Sequence, residues 1–176
     1  MVRRIAWILA VAGAIPFIVA TAALYLSSAS SVRVPAIAAL VTYAAVILSF
    51  LGGIEWGLAI RDETGTESTR VAALGLSVVP SLAAWAVLWI EGSRWQVGAA
   101  LGIFVVVWAA DQWMASKGLL PAWFVDLRTA ISALVVLILA AALFALYASG
   151  ASRRRASRSG PARRRTPRTR AGSSGA

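Results

Sequence analysis

The sequence contains no cysteine and no histidine. Without cysteine, the chain can form neither a disulfide nor a thiolate site. Because histidine and cysteine are the usual ligands of zinc, copper, haem and iron–sulfur centres, we predict no cofactor of these kinds. The chain also has no Walker motif, no dinucleotide-binding fingerprint and no Ser–His or Cys–His pair. The sequence therefore predicts a protein that is not an enzyme and carries no cofactor.

Charge is scarce as well, at 14% of the 176 residues, while 60% of the residues are hydrophobic. A soluble domain of this size cannot enclose so much apolar surface, whereas a lipid bilayer can cover it. The formal net charge of +10 is concentrated at one end, because nine of the seventeen basic residues lie between Arg153 and Arg170. The rest of the chain is nearly neutral, which indicates a membrane protein with a basic tail.

Long apolar runs fill the sequence before that tail. The first run, Ile5 to Leu26, has 22 residues without a charge, and roughly 20 apolar residues cross the hydrocarbon core as a helix. A signal peptide has a shorter apolar core, of about 7 to 15 residues, so we expect this run to remain as a helix. The predicted fold class is all-α, a polytopic transmembrane helical bundle of about five spans. The spans are predicted at residues 5–26, 35–60, 71–90, 96–115 and 127–149.

The fourth predicted span is the weakest of the five. Asp111 leaves only fourteen uninterrupted apolar or small residues there, Val97 to Ala110, so a re-entrant segment is the alternative. Tryptophan and tyrosine favour the two membrane–water interfaces, and five spans sort most of them into two belts. One belt contains Trp7, Trp56, Trp113 and Trp123, and the other contains Tyr25, Trp89, Trp95 and Tyr147. The belts favour five spans independently of hydropathy.

Residues 150–176 are predicted to form a disordered tail, because they are almost wholly Arg, Ser, Ala, Pro, Gly and Thr. Its arginines can bind anionic lipid headgroups, with up to about 1 kcal/mol for each arginine near the surface. The candidate headgroup contacts are Arg153, Arg154, Arg155, Arg163, Arg164 and Arg165. The tail has no aromatic side chain for base stacking, which disfavours nucleic acid as its partner.

Two sequence signals for the orientation of the protein in the membrane disagree. Counting Lys and Arg near the spans favours an internal N-terminus, yet five spans then place the arginine tail on the opposite side. Moving nine arginines across an energised membrane is costly. We therefore expect a cytoplasmic tail and location in the bacterial inner membrane. A four-span chain with both termini inside is the alternative.

Two acids lie inside predicted spans, Glu55 and Asp111. Because both spans end on the same face of the membrane, the two acids are expected at similar depth, close to Arg128 at the start of the fifth span. An intramembrane acid is by default a candidate for function. Glu55, Asp111 and Arg128 thus form a predicted polar cluster, either a proton or cation access point or an ion-paired seam between helices. The cluster is also expected to lie near Arg61, Lys117 and Asp126.

Small residues recur every four positions in the second span, at Ala45, Ser49, Gly53 and Gly57. Such spacing lets another helix approach closely, so these four residues form a predicted packing ridge. The neighbour can be another helix of this chain or a partner protein. Since Glu55 lies about 200° around the helix from Gly53, at 100° per residue, the second span is predicted to be central in the bundle.

Four stretches resemble the uncharacterised family called domain of unknown function 3429, whose multi-pass membrane proteins are bacterial and mitochondrial. They are Tyr43–Gly57, Ser77–Trp85, Asp111, and Leu120–Phe124 with Leu127 and Arg128. The resemblance covers about residues 5–148 and implies a multi-pass membrane protein. The family has no established activity, so the resemblance implies no substrate and no catalytic residue.

The sequence predicts a scaffold, assembly or accessory subunit in the membrane. This hypothesis depends on the missing catalytic and redox ligands, the packing ridge and the small soluble mass. The expected partners are the lipid bilayer and either a membrane protein or a second copy of the chain. The alternative is a small-solute or proton-coupled transporter that uses Glu55 and Asp111, although no internal repeat is evident.

Overall fold

The structure of the protein is a computed structural model that describes residues 1–61, 66–118 and 120–158, the last eight of these by their backbone alone. Within these ranges the chain is helical and contains no strand. The helices are α1 Val2–Ala12, α2 Ile15–Leu26, α3 Ser30–Arg61, α4 Glu67–Val87, α5 Ser93–Ser116 and α6 Ala122–Arg158.

Five helical segments of the described chain are long and apolar enough to cross a bilayer, with α1 and α2 together forming the first. The segment that the sequence left in doubt is α5, which has 24 residues. At 1.5 Å per residue it is about 36 Å long, which exceeds the roughly 30 Å hydrocarbon core. The predicted all-α bundle of five spans is therefore confirmed.

Several helix bounds differ from the predicted ones. Helix α3 begins at Ser30, so Pro35 lies inside the helix rather than at its start. Helix α6 begins at Ala122, five residues before the predicted span. It also continues to Arg158, so residues 150–158 of the predicted disordered tail are helical. The rest of that tail, 159–176, lies outside the described residues.

The first span is interrupted between α1 and α2, just before Pro16. Proline has no backbone N–H and its ring clashes with the preceding turn, so the hydrogen-bond ladder of a helix breaks there. The carbonyl oxygen of Gly13 accepts a hydrogen bond of 2.9 Å from the hydroxyl of Tyr43 on α3. Phe17 packs edge-on against both Tyr43 and Phe104, which joins the break to α3 and α5.

Helix α3 is central, because it packs against α2, α4 and α5. It lies very close to α4 at Gly52, where a Cβ atom would overlap the backbone carbonyl oxygen of Ser77. Only glycine allows two helix backbones to approach so closely. The adjacent Gly53 points away from α4, and a Cβ atom there would meet nothing within 4 Å.

The main apolar core lies among α2, α3, α5 and α6, where Leu40, Val97 and Leu139 are fully buried. A second, smaller cluster lies closer to the face of the bundle that holds the N-terminus. We call it the mouth cluster, and its buried members are Ala59, Ala73, Met114 and Leu120.

The opposite end of the bundle is tied by Arg33. Its guanidinium donates to the carbonyl oxygen of Leu24 at 2.5 Å and to the hydroxyl of Ser149 at 2.7 Å. The last carbonyls of a helix have no partner within that helix, so Arg33 closes the end of α2 and links it to α6. Nearby, the guanidinium of Arg94 lies 5.2 Å from the ring centre of Tyr147.

Large apolar side chains also cover the outside of the bundle, including Ile8, Leu82, Leu137 and Phe144. A soluble surface rarely exposes a continuous apolar area of this kind. On five membrane-spanning helices, these side chains contact the lipid bilayer.

A matched pair of substitutions tests the approach of α3 to α4. We expect Gly52→Ala to lower the free energy of unfolding by about 1–3 kcal/mol, because the added methyl group forces two backbones apart. Gly53→Ala adds the same methyl group in open space, and we expect it to be neutral or stabilising by up to about 1 kcal/mol. Unfolding in SDS, followed by far-UV circular dichroism, measures both values. Equal effects at the two positions would contradict the packing described here.

Candidate functional site

The polar cluster is built first by α5 and α6. Gly118 has a φ of 74°, the left-handed conformation that glycine adopts readily at a helix end. It ends α5 and leaves a short link before α6 begins at Ala122. The two helices therefore run antiparallel from the same face. This places Asp111, near the end of α5, level with Arg128, near the start of α6.

Asp111 and Arg128 form an ion pair that is closed to solvent. The Nε of Arg128 donates a hydrogen bond of 2.9 Å to Oδ2 of Asp111, and Nη2 lies 2.6 Å from the same oxygen. Asp111 is 0% exposed and Arg128 is 7% exposed. The guanidinium thus contacts one carboxylate oxygen twice, by a hydrogen bond from Nε and by an ion-pair contact from Nη2, and Oδ1 of Asp111 has no hydrogen-bond partner among the described residues.

Glu55 enters the same cluster from α3 and is 2% exposed. Its carboxyl group lies next to that of Asp111, and the charge of Arg128 also acts on it. Neither oxygen of Glu55 has a hydrogen-bond partner in the described part of the chain. Three helices therefore contribute two carboxyl groups and one guanidinium to a single buried site, which we call the charged triad.

Apolar packing closes the triad on the two sides that face along the bundle. Ala59 and Met114, one turn along their helices from Glu55 and Asp111, belong to the mouth cluster. Towards the bundle centre, Gly52 lies against Ser77 and closes the space between α3 and α4. The charged triad is therefore separated from the nearer aqueous face by a layer of apolar side chains.

A cavity of about 370 Å³ lies beside the triad, between the first span, α3 and α6. Apolar side chains line it, among them Leu9, Phe17, Phe50 and Ile131. Arg128 is the one charged residue among the described residues that line this cavity. The cavity is an apolar space that reaches the edge of the triad, and neither Glu55 nor Asp111 lines it.

The structure brings together the three residues that the sequence singled out as a polar cluster. Three further charged residues were expected near this cluster. They are not part of the buried triad, because the structure exposes all three: Arg61, Lys117 and Asp126. Within the described ranges, no group of three Asp, Glu, His or Cys side chains is placed to hold a metal ion. The triad is thus built around one ion pair, between Asp111 and Arg128.

The predicted packing ridge lies on the outer side of α3. Ala45 is half-buried, while Ser49, Gly53 and Gly57 are exposed. Gly57, like Gly53, has nothing within 4 Å of an added Cβ atom. Of the three glycines of α3, the one that packs directly against a neighbouring helix is Gly52. The sequence did contain a signal for this contact. Gly52 lies three residues before Glu55, and residues i and i+3 share one face of a helix, so Gly52 is expected on the same inward face as the buried acid.

The predicted headgroup contacts are only partly covered by the structure. Arg153, Arg154 and Arg155 belong to the last turns of α6, where the backbone alone is described. Arg163, Arg164 and Arg165 lie outside the described residues.

The fold and the triad define a class of protein: a small polytopic helical membrane protein with a charged cluster shared by three of its spans. The chain belongs to the family described as protein of unknown function (DUF3429), whose model matches residues 2–144.

A curated relative is similar to most of this chain. Transmembrane protein 69 of Xenopus tropicalis is 34% identical over 136 residues, which are 77% of this chain and 52% of the relative. The chain thus spans about half the length of the relative it matches. No solved structure matches the chain.

The ion pair leads to a stability prediction. Asp111→Asn leaves the buried guanidinium without an anionic partner, and we expect it to lower the free energy of unfolding by about 3–5 kcal/mol. Asp126→Asn removes an exposed carboxyl two residues before Arg128 and is expected to change that free energy by less than about 0.5 kcal/mol. SDS titration followed by tryptophan fluorescence measures both. Coincident unfolding curves for the two variants would contradict the structural role of the pair.

Proposed function

We propose that the protein is a non-enzymatic scaffold, assembly or accessory subunit of a larger membrane complex. In this proposal the charged triad holds α3, α5 and α6 together, and the outer side of α3 contacts a partner. The observation that carries the proposal is the combination of a closed triad with an exposed part of the packing ridge, Ser49, Gly53 and Gly57, where the two glycines have nothing within 4 Å of an added Cβ atom.

The closure of the triad supports an internal structural role. Asp111 uses one oxygen to hold both Nε and Nη2 of Arg128, and both residues are buried. The mouth cluster lies between these groups and the nearer aqueous face. A solute pathway requires polar groups that line a water-filled route. The arrangement of the triad instead resembles an ion-paired joint between helices.

The packing ridge supports a partner in the membrane. Ser49, Gly53 and Gly57 form a low outer surface, and the two glycines leave open space where a side chain would stand. Helices associate in lipid largely by close van der Waals packing between such small residues. A transmembrane helix of a partner protein, or of a second copy of this chain, fits that surface.

The membrane and the orientation are part of the same proposal. We propose the bacterial inner membrane, with the arginine tail in the cytoplasm and its arginines on anionic headgroups. The nine arginines of 153–170 support this side, because cytoplasmic surfaces are negatively charged and attract clustered basic residues.

A second candidate function is a small-solute or proton-coupled transporter. The observation that favours it is Glu55, whose two buried oxygens have no hydrogen-bond partner in the described chain. Reconstitution of the purified protein into proteoliposomes separates the two functions. Solute flux that is abolished by both Glu55→Gln and Asp111→Asn, in protein that is still folded, would replace the scaffold proposal with this one.

The scaffold proposal predicts a partner that depends on the packing ridge. Purification in a mild detergent should recover a stoichiometric partner, or a homodimer, with the wild-type chain. We expect Gly53→Leu and Gly57→Leu to reduce that recovery by about tenfold or more, equivalent to roughly 1.4 kcal/mol of association. Neither variant should change the unfolding curve, since both glycines face open space.

The control is Gly75→Leu, which adds the same side chain to an exposed position on α4 where nothing lies within 4 Å. Recovery of the partner should be unchanged in this variant. Equal losses at Gly53 and Gly75 would show that the ridge is not the contact. A wild-type protein that purifies as a lone monomer would contradict the scaffold proposal itself.

A further inference from the structure

The charges of the triad do not balance. Asp111 and Arg128 neutralise each other, and Glu55 then adds a second carboxyl group with no second cation beside it in the described part of the chain. Glu55 is 2% exposed, and an unpaired ionised carboxylate is strongly disfavoured at such a place in a bilayer. One positive charge is needed for the site to be neutral.

The hydrogen bonds of the triad are incomplete at the same place. Arg128 occupies Oδ2 of Asp111, which leaves Oδ1 of Asp111 and both oxygens of Glu55 without partners among the described residues. Ionised carboxylates are acceptors only, so two of them cannot hydrogen-bond to each other. A carboxylic acid has one O–H donor. A single proton on Glu55 therefore pairs one of its oxygens with Oδ1 of Asp111 and leaves the other as the carbonyl oxygen of a neutral acid.

We propose that the charged triad is a buried proton-binding site, in which Glu55 carries the proton and donates it in a hydrogen bond to Oδ1 of Asp111. Binding adds one H⁺ to the Glu55 carboxylate and changes no other bond. Arg128 is a positioning residue in this proposal, because it holds Asp111 ionised through Oδ2 and leaves Oδ1 without a partner among the described residues.

The ligand is a proton rather than a metal cation for two reasons. Arg128 already supplies a positive charge to Asp111, and it would repel a metal ion placed between the two acids. Two carboxyl groups also supply too few oxygens for sodium or calcium, and Ca²⁺ takes about six to eight. A proton needs only the one donor and one acceptor that the site provides.

The elements around Glu55 leave Asp111 and Arg128 as the charges that act on it directly. Helix α4 packs against the same side of α3 with Ala73 and Ser77, and the hydroxyl of Ser77 donates to the carbonyl of Leu74 at 2.7 Å. The other described charged residues of the four helices near this mouth are exposed or half-buried: Arg61, Glu67, Arg70, Lys117 and Asp126.

Infrared spectroscopy of the purified protein tests the proposal, because the C=O stretch of a protonated carboxylic acid is separate from the carboxylate bands. At neutral pH we expect one protonated carboxyl group per chain. Its band should be lost in Glu55→Gln and kept in Glu91→Gln, since Glu91 is exposed at the turn between α4 and α5. Glu55→Gln should fold, because the amide of glutamine can donate to Oδ1 of Asp111 as the protonated acid does.

Isotope labelling keeps the test decisive even if a variant misfolds. In wild-type protein the band should shift when glutamate carries a ¹³C side-chain carboxyl and should stay in place when aspartate does. No protonated band at neutral pH, or a band that follows the aspartate label, would overturn the proposal. Loss of the band on adding sodium ions would identify a metal site instead. None of these results depends on a partner protein. The infrared test can therefore fail while the scaffold proposal holds, and the reverse is also possible.

Discussion

A charge inside a bilayer must find its partner within the protein, and the ion pair of Asp111 and Arg128 meets this requirement here. Lipid supplies neither water nor counter-ions, so an unpaired charge on α5 or α6 would oppose insertion of that helix. Pairing fixes the two helices at one relative height, because Nε and Nη2 of Arg128 both reach Oδ2 of Asp111. The short link at Gly118 favours the same arrangement, because it makes α5 and α6 antiparallel neighbours.

The other spans assemble around that pair through different contacts. Helix α3 brings Glu55 to the triad, and its Gly52 admits the backbone of α4 at Ser77. The first span reaches α3 through the hydrogen bond from Tyr43 to Gly13. Arg33 then joins α2 to α6 at the opposite end. The bundle thus has polar ties near both faces, with an apolar core between them.

The energetic value of the pair lies in specificity as much as in stability. A buried ion pair often contributes no more than a well-packed apolar pair of similar volume, because desolvation offsets the attraction between the charges. Breaking it is costly all the same, since one charge remains buried and unpaired. Apolar helices can slide past one another in lipid with little penalty. A charge on each of two helices selects one register.

The sequence predicted the five spans and the three residues of the charged triad, and it did not predict which glycine of α3 packs against α4. Hydropathy and length suffice for the number of spans, and antiparallel spans of similar length place Glu55, Asp111 and Arg128 at one level. The side of α3 that faces α4 was harder to predict, because Gly52 and Gly53 are adjacent and the four-residue repeat includes Gly53. Gly52 and Glu55 share one face of the helix, so the burial of Glu55 also indicates that Gly52 faces inwards.

The side-chain contacts between helices could not be predicted from the sequence. Helix α3 begins at Ser30, and Arg33 in its first turn has partners, Leu24 and Ser149, that belong to two other helices. Arg128 contacts only Oδ2 of Asp111 and leaves Oδ1 without a partner among the described residues, and this side-chain geometry is not described by any spacing rule.

The most direct test of the central claim is a double-mutant cycle on the ion pair, with Asp111→Asn, Arg128→Gln and both together. The free energy of unfolding is measured for each chain in one detergent. The pair predicts that each single variant loses several kcal/mol and that the double variant loses less than the sum, by about 2 kcal/mol or more. Simple additivity of the two losses would contradict the claim that this pair holds the bundle in register.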